Sequence, residues 1–148
     1  MQIKLNLGAG KDYRDGFINT DIANNVGADK VFDMEEGIPF KDNYFDEIIA
    51  YNCLEQISTP KKFVFVIQEL HRILKPTGFL VIRVPNVTDI CAFQDIFDIL
   101  KFNKDSFTYM DVKNPRYKEF GMTYGYPPFN LIPLKIDRQL TFRLEPIK

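Results

Sequence analysis

The chain is poor in the residues that build metal and disulfide sites. Of its 148 residues, one is histidine, His71, and two are cysteines, Cys53 and Cys91. A lone histidine leaves no histidine-based zinc cluster to propose, and no metal site is expected. The cysteines lie far apart without CxxC spacing and read as two reduced thiols of a cytosolic protein. Charge runs are also missing. The net charge is −1, with no basic or acidic block, which argues against a nucleic-acid surface or a polybasic membrane contact. No apolar stretch reaches the length of a membrane span, and the N-terminus has no charged-then-apolar leader pattern. The expectation is a cytoplasmic protein without nucleic-acid or membrane partners. Its oligomeric state is left open.

What is present is one domain's worth of α/β pattern. A chain of this length buries roughly 68–70% of its unfolded surface, enough for a core, so residues 1–148 are read as a single domain. Strands are predicted at Ile3–Leu7, Phe17–Asp21, Lys30–Asp33, Phe45–Tyr51 and Phe79–Val84. A helix is predicted from Phe63, Val66, Ile67, Leu70, Ile73 and Leu74 at helical spacing. Ser58 or Thr59 caps it, Pro60 suits its first turn, and Pro76 with Gly78 ends it. Ile90, Phe93, Phe97 and Leu100 predict a second helix capped by Thr88. Alternation over 132–136 and 140–144 predicts a terminal hairpin turning at Asp137-Arg138. Strands alternating with helices imply a mostly parallel sheet, which binds ligands at the carboxyl ends of its strands. Gly8-Ala9-Gly10, Asp21 and Tyr51–Glu55 all fall at such ends.

The glycine pair lets a ligand approach the backbone, and Asp21, ending the next strand, can accept both ribose hydroxyls. A dinucleotide fingerprint needs a third glycine three residues on, where Tyr13 stands. Too few residues precede Phe17 for a full helix, so NAD is set aside. No Gly-Lys-Ser/Thr follows for a P-loop.

Two longer segments add to this: DMEEGIPFKDNYFDEIIAYNCLEQI, Asp33–Ile57, and ELHRILKPTGFLVIRVPN, Glu69–Asn86. With LNLGAG and Asp21 they resemble the class I S-adenosylmethionine-dependent methyltransferases, the small methyltransferase-like type, over roughly residues 3–86. The resemblance implies a Rossmann-like, mostly parallel sheet of about seven strands with a reversed last strand. The short connections imply reduced helices after the first and second strands. It implies S-adenosyl-L-methionine as cofactor and methyl transfer to a small-molecule or sugar-like acceptor. Position by position, it assigns Gly8, Ala9 and Gly10 to the methionine part of the cofactor. Asn6 takes the place of the family's ammonium-binding acid, Asp21 goes to the ribose, and Asp33 with Met34 to the adenine. Tyr51, Asn52 and Cys53 would face the sulfonium.

The sequence departs from the family in having LEQI at Leu54–Ile57 for the common LEHI, and in its short loops. Without a helix after Gly10, Lys11 or Arg14 could substitute in meeting the cofactor carboxylate, although both read first as solvated surface charges. A catalytically inert cofactor-binding or assembly module is the alternative reading. No catalytic base is assigned. Glu55 falls near the transfer point but reads equally as a surface carboxylate, and His71 reads as structural. Tyr126-Pro127-Pro128-Phe129 reads as a rigid loop. Residues 91–130 hold ten of the 21 aromatics, and residues 104–130, with Gly121 and Gly125 as candidate hinges, are expected to close over the acceptor.

Overall fold

Side chains alternate between the two sides of a strand, and in this chain the two sides were given different chemistry. The computed structural model describes residues 1–148. Seven strands form one sheet: β1 (Lys4–Leu7), β2 (Ile18–Asp21), β3 (Lys30–Val31), β4 (Phe45–Tyr51), β5 (Leu74–Pro85), β6 (Phe129–Ile136) and β7 (Gln139–Pro146). Their order is β3-β2-β1-β4-β5-β7-β6, and β7, the last in the chain, is the one that runs antiparallel to both its neighbours. This is the seven-stranded, Rossmann-like sheet with a reversed last strand that the resemblance implies. The connections 8–17 and 22–29 hold no helix.

One long helix, α1 (Pro60–Ile73), links β4 to β5. Thr59 caps it by accepting from the Lys62 N–H, and Pro60 occupies its first turn. Its apolar stripe of Phe63, Val66, Ile67, Leu70 and Ile73 packs on the first face of the sheet. There it meets Leu5 and Leu7 of β1, Ile48 and Ala50 of β4, Leu80, Ile82 and Val84 of β5, and Leu140, Phe142 and Leu144 of β7. Phe102, Phe107 and Met110 from the segment between β5 and β6, with Phe129 at the start of β6, complete this core. His71 sits edge-on to Phe129, with Nε2 3.2 Å from the carbonyls of Pro128 and Ile147; burial lowers its pKa. It is a structural histidine.

The second face carries Lys4 and Asn6, then Glu47, Ile49 and Tyr51, then Phe79, Val81 and Arg83, then Thr141, Arg143 and Glu145. The strand registers align these residues in rows. Long cationic side chains lie over its rings. Arg143 is 3.9 Å from the Phe79 ring and Lys4 5.4 Å from Phe17, while Tyr51 carries both Arg83, at 4.4 Å, and Arg14, at 5.1 Å.

Two expectations are corrected. Residues 88–100 form no helix beyond a single turn, Ile90–Phe93, whose cap is Asp89 rather than Thr88. Phe93 and Phe97 stand in solvent, so the helical spacing there packs against nothing that could stabilise a helix. Gly121 is buried, and a Cβ built there would lie 1.8 Å from the Tyr109 carbonyl oxygen. It is a close-packing glycine, not an exposed hinge. Residues 104–130 hold fully buried Phe107, Met110 and Phe129 and so supply part of the core.

Candidate functional site

β1, β2 and β4 end side by side, and their carboxyl ends open into a cleft of about 300 Å³. Leu7, Gly8 and Gly10 form one wall. Thr20, Asp21 and Ile22 follow, then Phe32, Asp33, Met34 and Glu35, with Asn52, Cys53, Gln56 and Ile57 closing the far side. The volume is at the lower end for small-molecule sites.

Gly8 and Gly10 have φ of +64° and +52°, the left-handed region where a side chain is strained. Their surroundings differ. A Cβ at Gly8 would lie 2.5 Å from Cys53 Cβ, so Gly8 lets the β1 and β4 loops close on each other. A Cβ at Gly10 would meet nothing within 4 Å. Gly10 therefore keeps space open beside the cleft, while Gly8 keeps its walls together. Asn52 also has a positive φ, +53°, which asparagine tolerates better than other side chains.

Asp21 is held in place by backbone. Its Oδ2 accepts from Gly10 N–H at 2.7 Å and its Oδ1 from Ala23 N–H at 2.9 Å. Each carboxylate oxygen accepts a second hydrogen bond, so Asp21 retains capacity toward the cleft. Asp33 caps the turn Met34–Glu36 through Oδ1, which accepts from Glu35 N–H. Phe32, Met34 and Ile22 give this end of the cleft apolar surface. The Cys53 thiol is buried against Leu7 O at 3.5 Å. Burial first, then the charges of Glu55 and Asp21, push its pKa far up and keep it protonated.

Of the ten residues named from the sequence, Gly8, Gly10, Asp21, Asp33, Met34, Asn52 and Cys53 come together in this cleft; three stand apart from its lining. The Asn6 side chain is buried under the 8–17 loop, donating to Asp12 O at 2.7 Å and Asn19 Oδ1 at 2.9 Å. It fixes the loop that lacks a helix. The Ala9 side chain is buried and its N–H bonds Thr20 O, tying the turn to β2. Tyr51 points to the second sheet face, under its two guanidiniums. Arg14 is committed to Asp12 by two contacts of 2.8 and 3.0 Å and lines no part of the cleft. The sequence reading missed Phe32, Ile22 and Gln56; Ile22 and Phe32 directly follow β2 and β3, which was the available signal, whereas Gln56 ends the turn Leu54–Gln56 and carried none.

Glu55 is not a surface carboxylate. It is 3% exposed, and its Oε2 has no hydrogen-bond partner. Burial, with smaller contributions from Asp98 and Asp95 and partial opposition from Arg83, pushes its pKa up to about 7.

The residues present fit an adenosyl cofactor. A carboxylate with spare acceptor capacity, an apolar patch beside it and a glycine whose missing side chain leaves room all line one cleft. No group of histidine, cysteine or acidic side chains is arranged to hold a metal, and no helix is long and apolar enough to cross a membrane.

Comparison with known proteins agrees with this geometry. No curated protein sequence matches the chain. Solved structures match over nearly its whole length. A chain of the complex between the Trm112 methyltransferase activator of Haloferax volcanii and a methyltransferase gives a TM-score of 0.68 at 14% identity, covering 99% of this chain and 83% of that one. A SAM-dependent methyltransferase from Archaeoglobus fulgidus gives 0.66 at 14% identity, covering 97% and 86%. DhpI, solved as a complex with SAH, gives 0.62 at 14% identity, covering 97% and 76%. At these identities the likeness is one of fold. The model of the family described as "Methyltransferase domain" matches residues 9–82, which is half of the chain and holds most of the cleft's lining, and so the chain belongs to the class I S-adenosylmethionine-dependent methyltransferases.

Proposed function

We propose that the chain binds S-adenosyl-L-methionine in the cleft at the ends of β1, β2 and β4 and transfers its methyl group to a small-molecule or sugar-like acceptor. The observation that carries this reading is Asp21. It ends β2, is pinned by the N–H of Gly10, and keeps lone pairs free toward the cleft. Bound there, the cofactor supplies a methyl carbon made electrophilic by the sulfonium. The chain's own part is positioning. Asp21 accepts the ribose hydroxyls, Asp33 and Met34 take the adenine end, and Gly10 leaves the backbone open to the methionine end. Cys53, protonated and buried, offers no competing nucleophile at the wall of the cleft.

Calorimetric titration with S-adenosylhomocysteine and NAD tests the cofactor. S-adenosylhomocysteine should bind and NAD should not. Asp21→Ala removes two charge-assisted hydrogen bonds, each worth roughly 1.5–3 kcal/mol, and should weaken binding at least tenfold. Unchanged affinity in that variant would remove the ribose assignment. Gly10→Val should also abolish binding; nothing crowds that position, but its φ of +52° strains a branched side chain, so affinity is read on protein shown to be folded. Gly8→Val should instead lower stability, by driving a branched side chain into Cys53.

One observation favours a second reading, an inert cofactor-binding or assembly module. No helix follows Gly10, so no helix N-terminus faces the cofactor carboxylate. Incubation of cell extract with radiolabelled methyl donor separates the two. Tight S-adenosylhomocysteine binding with no labelled product in any fraction favours the inert module.

A further inference from the structure

Between Thr88 and Leu100 the chain turns its large apolar side chains outward. Ile90, Phe93, Ile96, Phe97 and Ile99 are exposed by 52% (Ile99) to 88% (Ile96). The loop is nonetheless held in one shape. Asp89 and Asp95 accept from the N–H groups of Cys91 and Phe97, and the Lys101 ammonium folds back to donate to the carbonyls of Ala92 and Asp98. A fully exposed aromatic side chain offers roughly 150–250 Å² and isoleucine somewhat less, so the five present on the order of 600 Å². An apolar patch of that size marks an interaction surface.

A groove of about 650 Å³ lies between the start of α1 and residues 123–126, with Pro60, Lys61, Val64, Phe65, Tyr124 and Tyr126 in its walls. Gln68 donates to Gly125 O at 2.7 Å and ties the two walls together. Phe120, stacked on Tyr124, and Met122 add exposed apolar surface beside it. Loop and groove adjoin. A smaller cavity of about 270 Å³ has Leu100 and Lys101 on its loop side, and Pro60, Tyr124 and Tyr126, which also line the groove, on the other. Their charges are complementary. Residues 88–100 hold three acidic residues and no basic one. Arg138 pairs with Asp89 and Lys101 is drawn into the loop, while Asp95 and Asp98 make no ion pair. Lys61 in the groove makes none either. None of these side chains lines the cofactor cleft.

We infer that the protein pairs with a second copy of itself, the loop 90–99 of each copy seated in the groove between α1 and Tyr124 of the other. Because loop and groove adjoin, a two-fold axis beside them makes both contacts at once, and the assembly closes at two copies. Loop and groove together reach the order of 800 Å² per partner that a stable complex buries. Aromatic and aliphatic side chains fill the contact, and Asp95 and Asp98 facing Lys61 set its register.

Sedimentation velocity of the full chain, from micromolar to near-millimolar concentration, should show a reversible monomer–dimer equilibrium. Hydrogen exchange of the wild type should slow with rising concentration over residues 90–99 and 120–126. Phe97→Ser, at an exposed position, should leave the urea midpoint unchanged and raise the dimer dissociation constant tenfold or more. Asp95→Lys and Lys61→Glu should each raise it several-fold. An equimolar mixture of those two variants should associate more tightly than either alone, because reversed charges meet across one contact and the original charges across the other. A chain that stays monomeric throughout, exchange independent of concentration, or a dimer indifferent to Phe97→Ser would each overturn the inference, whatever else the patch binds. A mixture no tighter than its components would overturn it too, since the copies would then meet through another face. The exchange measurement on the wild type stands even where a variant folds poorly.

Discussion

The first face of the sheet is covered by α1 and the aromatic segment after β5; the second is covered by side chains of its own strands. Sheets of parallel strands usually bury both faces under helices. Here the connections after β1 and β2 are too short to hold any, and the strands show the consequence. β7 reads Gln-Leu-Thr-Phe-Arg-Leu-Glu-Pro, with Leu140, Phe142 and Leu144 inward and Thr141, Arg143 and Glu145 outward. β1 does the same on a smaller scale. Where the second face keeps apolar groups, as at Ile49 and Val81, they remain 2% and 8% exposed because long side chains lie around them. The layer that helices would supply is replaced by stems of lysine and arginine.

If that contrast is right, the largest losses of stability come from the first face. Phe107→Ala or Phe142→Ala should cost about 3–5 kcal/mol, the usual range for emptying a buried phenylalanine site. Urea unfolding should show the midpoint collapse. A loss under 1 kcal/mol at Phe107 would mean that the 104–130 segment is not part of the core. Gly121→Ala belongs to the same test, because its Cβ would be driven into the Tyr109 backbone.

The next effect concerns the polar group that the first-face side encloses. Glu55 lies under the segment after β5, its carbonyl accepting from Leu100 N–H at 2.9 Å. Its pKa rises from an ordinary 4.5 to about 7 on folding. Between those values the unfolded chain has released the proton and the folded chain still holds it. Stability therefore falls as pH rises through this window, by about 1.4 kcal/mol per pH unit and about 3 kcal/mol in all. It is fully present below the lower value and gone above the upper one. Glu55→Gln should remove this slope and be the more stable protein at neutral pH. A wild-type unfolding curve that is flat from pH 4.5 to 7 counts against a buried, unpaired Glu55.

Legibility in the sequence followed the same division. β4, α1 and the hairpin turn at Asp137-Arg138 were predicted at or near their observed bounds, because each has a buried stripe or a strong turn that local pattern records. The cleft was readable through Gly8, Gly10, Asp21 and Asp33, since these sit at strand ends where backbone geometry restricts the residue type. Tyr51 was misplaced because alternation along β4 decides its side of the sheet, and the apolar run Ile48-Ile49-Ala50 hides that alternation. Asn6 was misplaced because its partners, Asp12 O and Asn19, are set by a loop conformation that no periodicity encodes. The segment 88–100 has helical spacing but no surface to pack against, and spacing alone does not hold a helix in water. Glu55 was invisible as a buried group because burial of a single carboxylate depends on the loop that happens to cover it.

The smallest predicted effect tests the second face directly. Arg143 lies over Phe79 at 3.9 Å and pairs with Glu145 at 3.0 Å. The pair is partly exposed and worth little; the contact with the ring adds about 0.5–1 kcal/mol at such a site. If the arginine stem serves as a roof, its packing matters more than its charge. Arg143→Ala should then lose about 1 kcal/mol and increase self-association, because Phe79 is uncovered on a face that no helix shields. Arg143→Met keeps an apolar stem over the ring without the charge, and should recover at least half of the loss in urea unfolding and remain monodisperse by light scattering to the same degree as the wild type. If Met and Ala behave alike, the stacking is electrostatic and the covering role of the cations fails. If neither variant differs from the wild type, Phe79 is shielded by something other than Arg143, and the second face is less dependent on its long side chains than the geometry indicates.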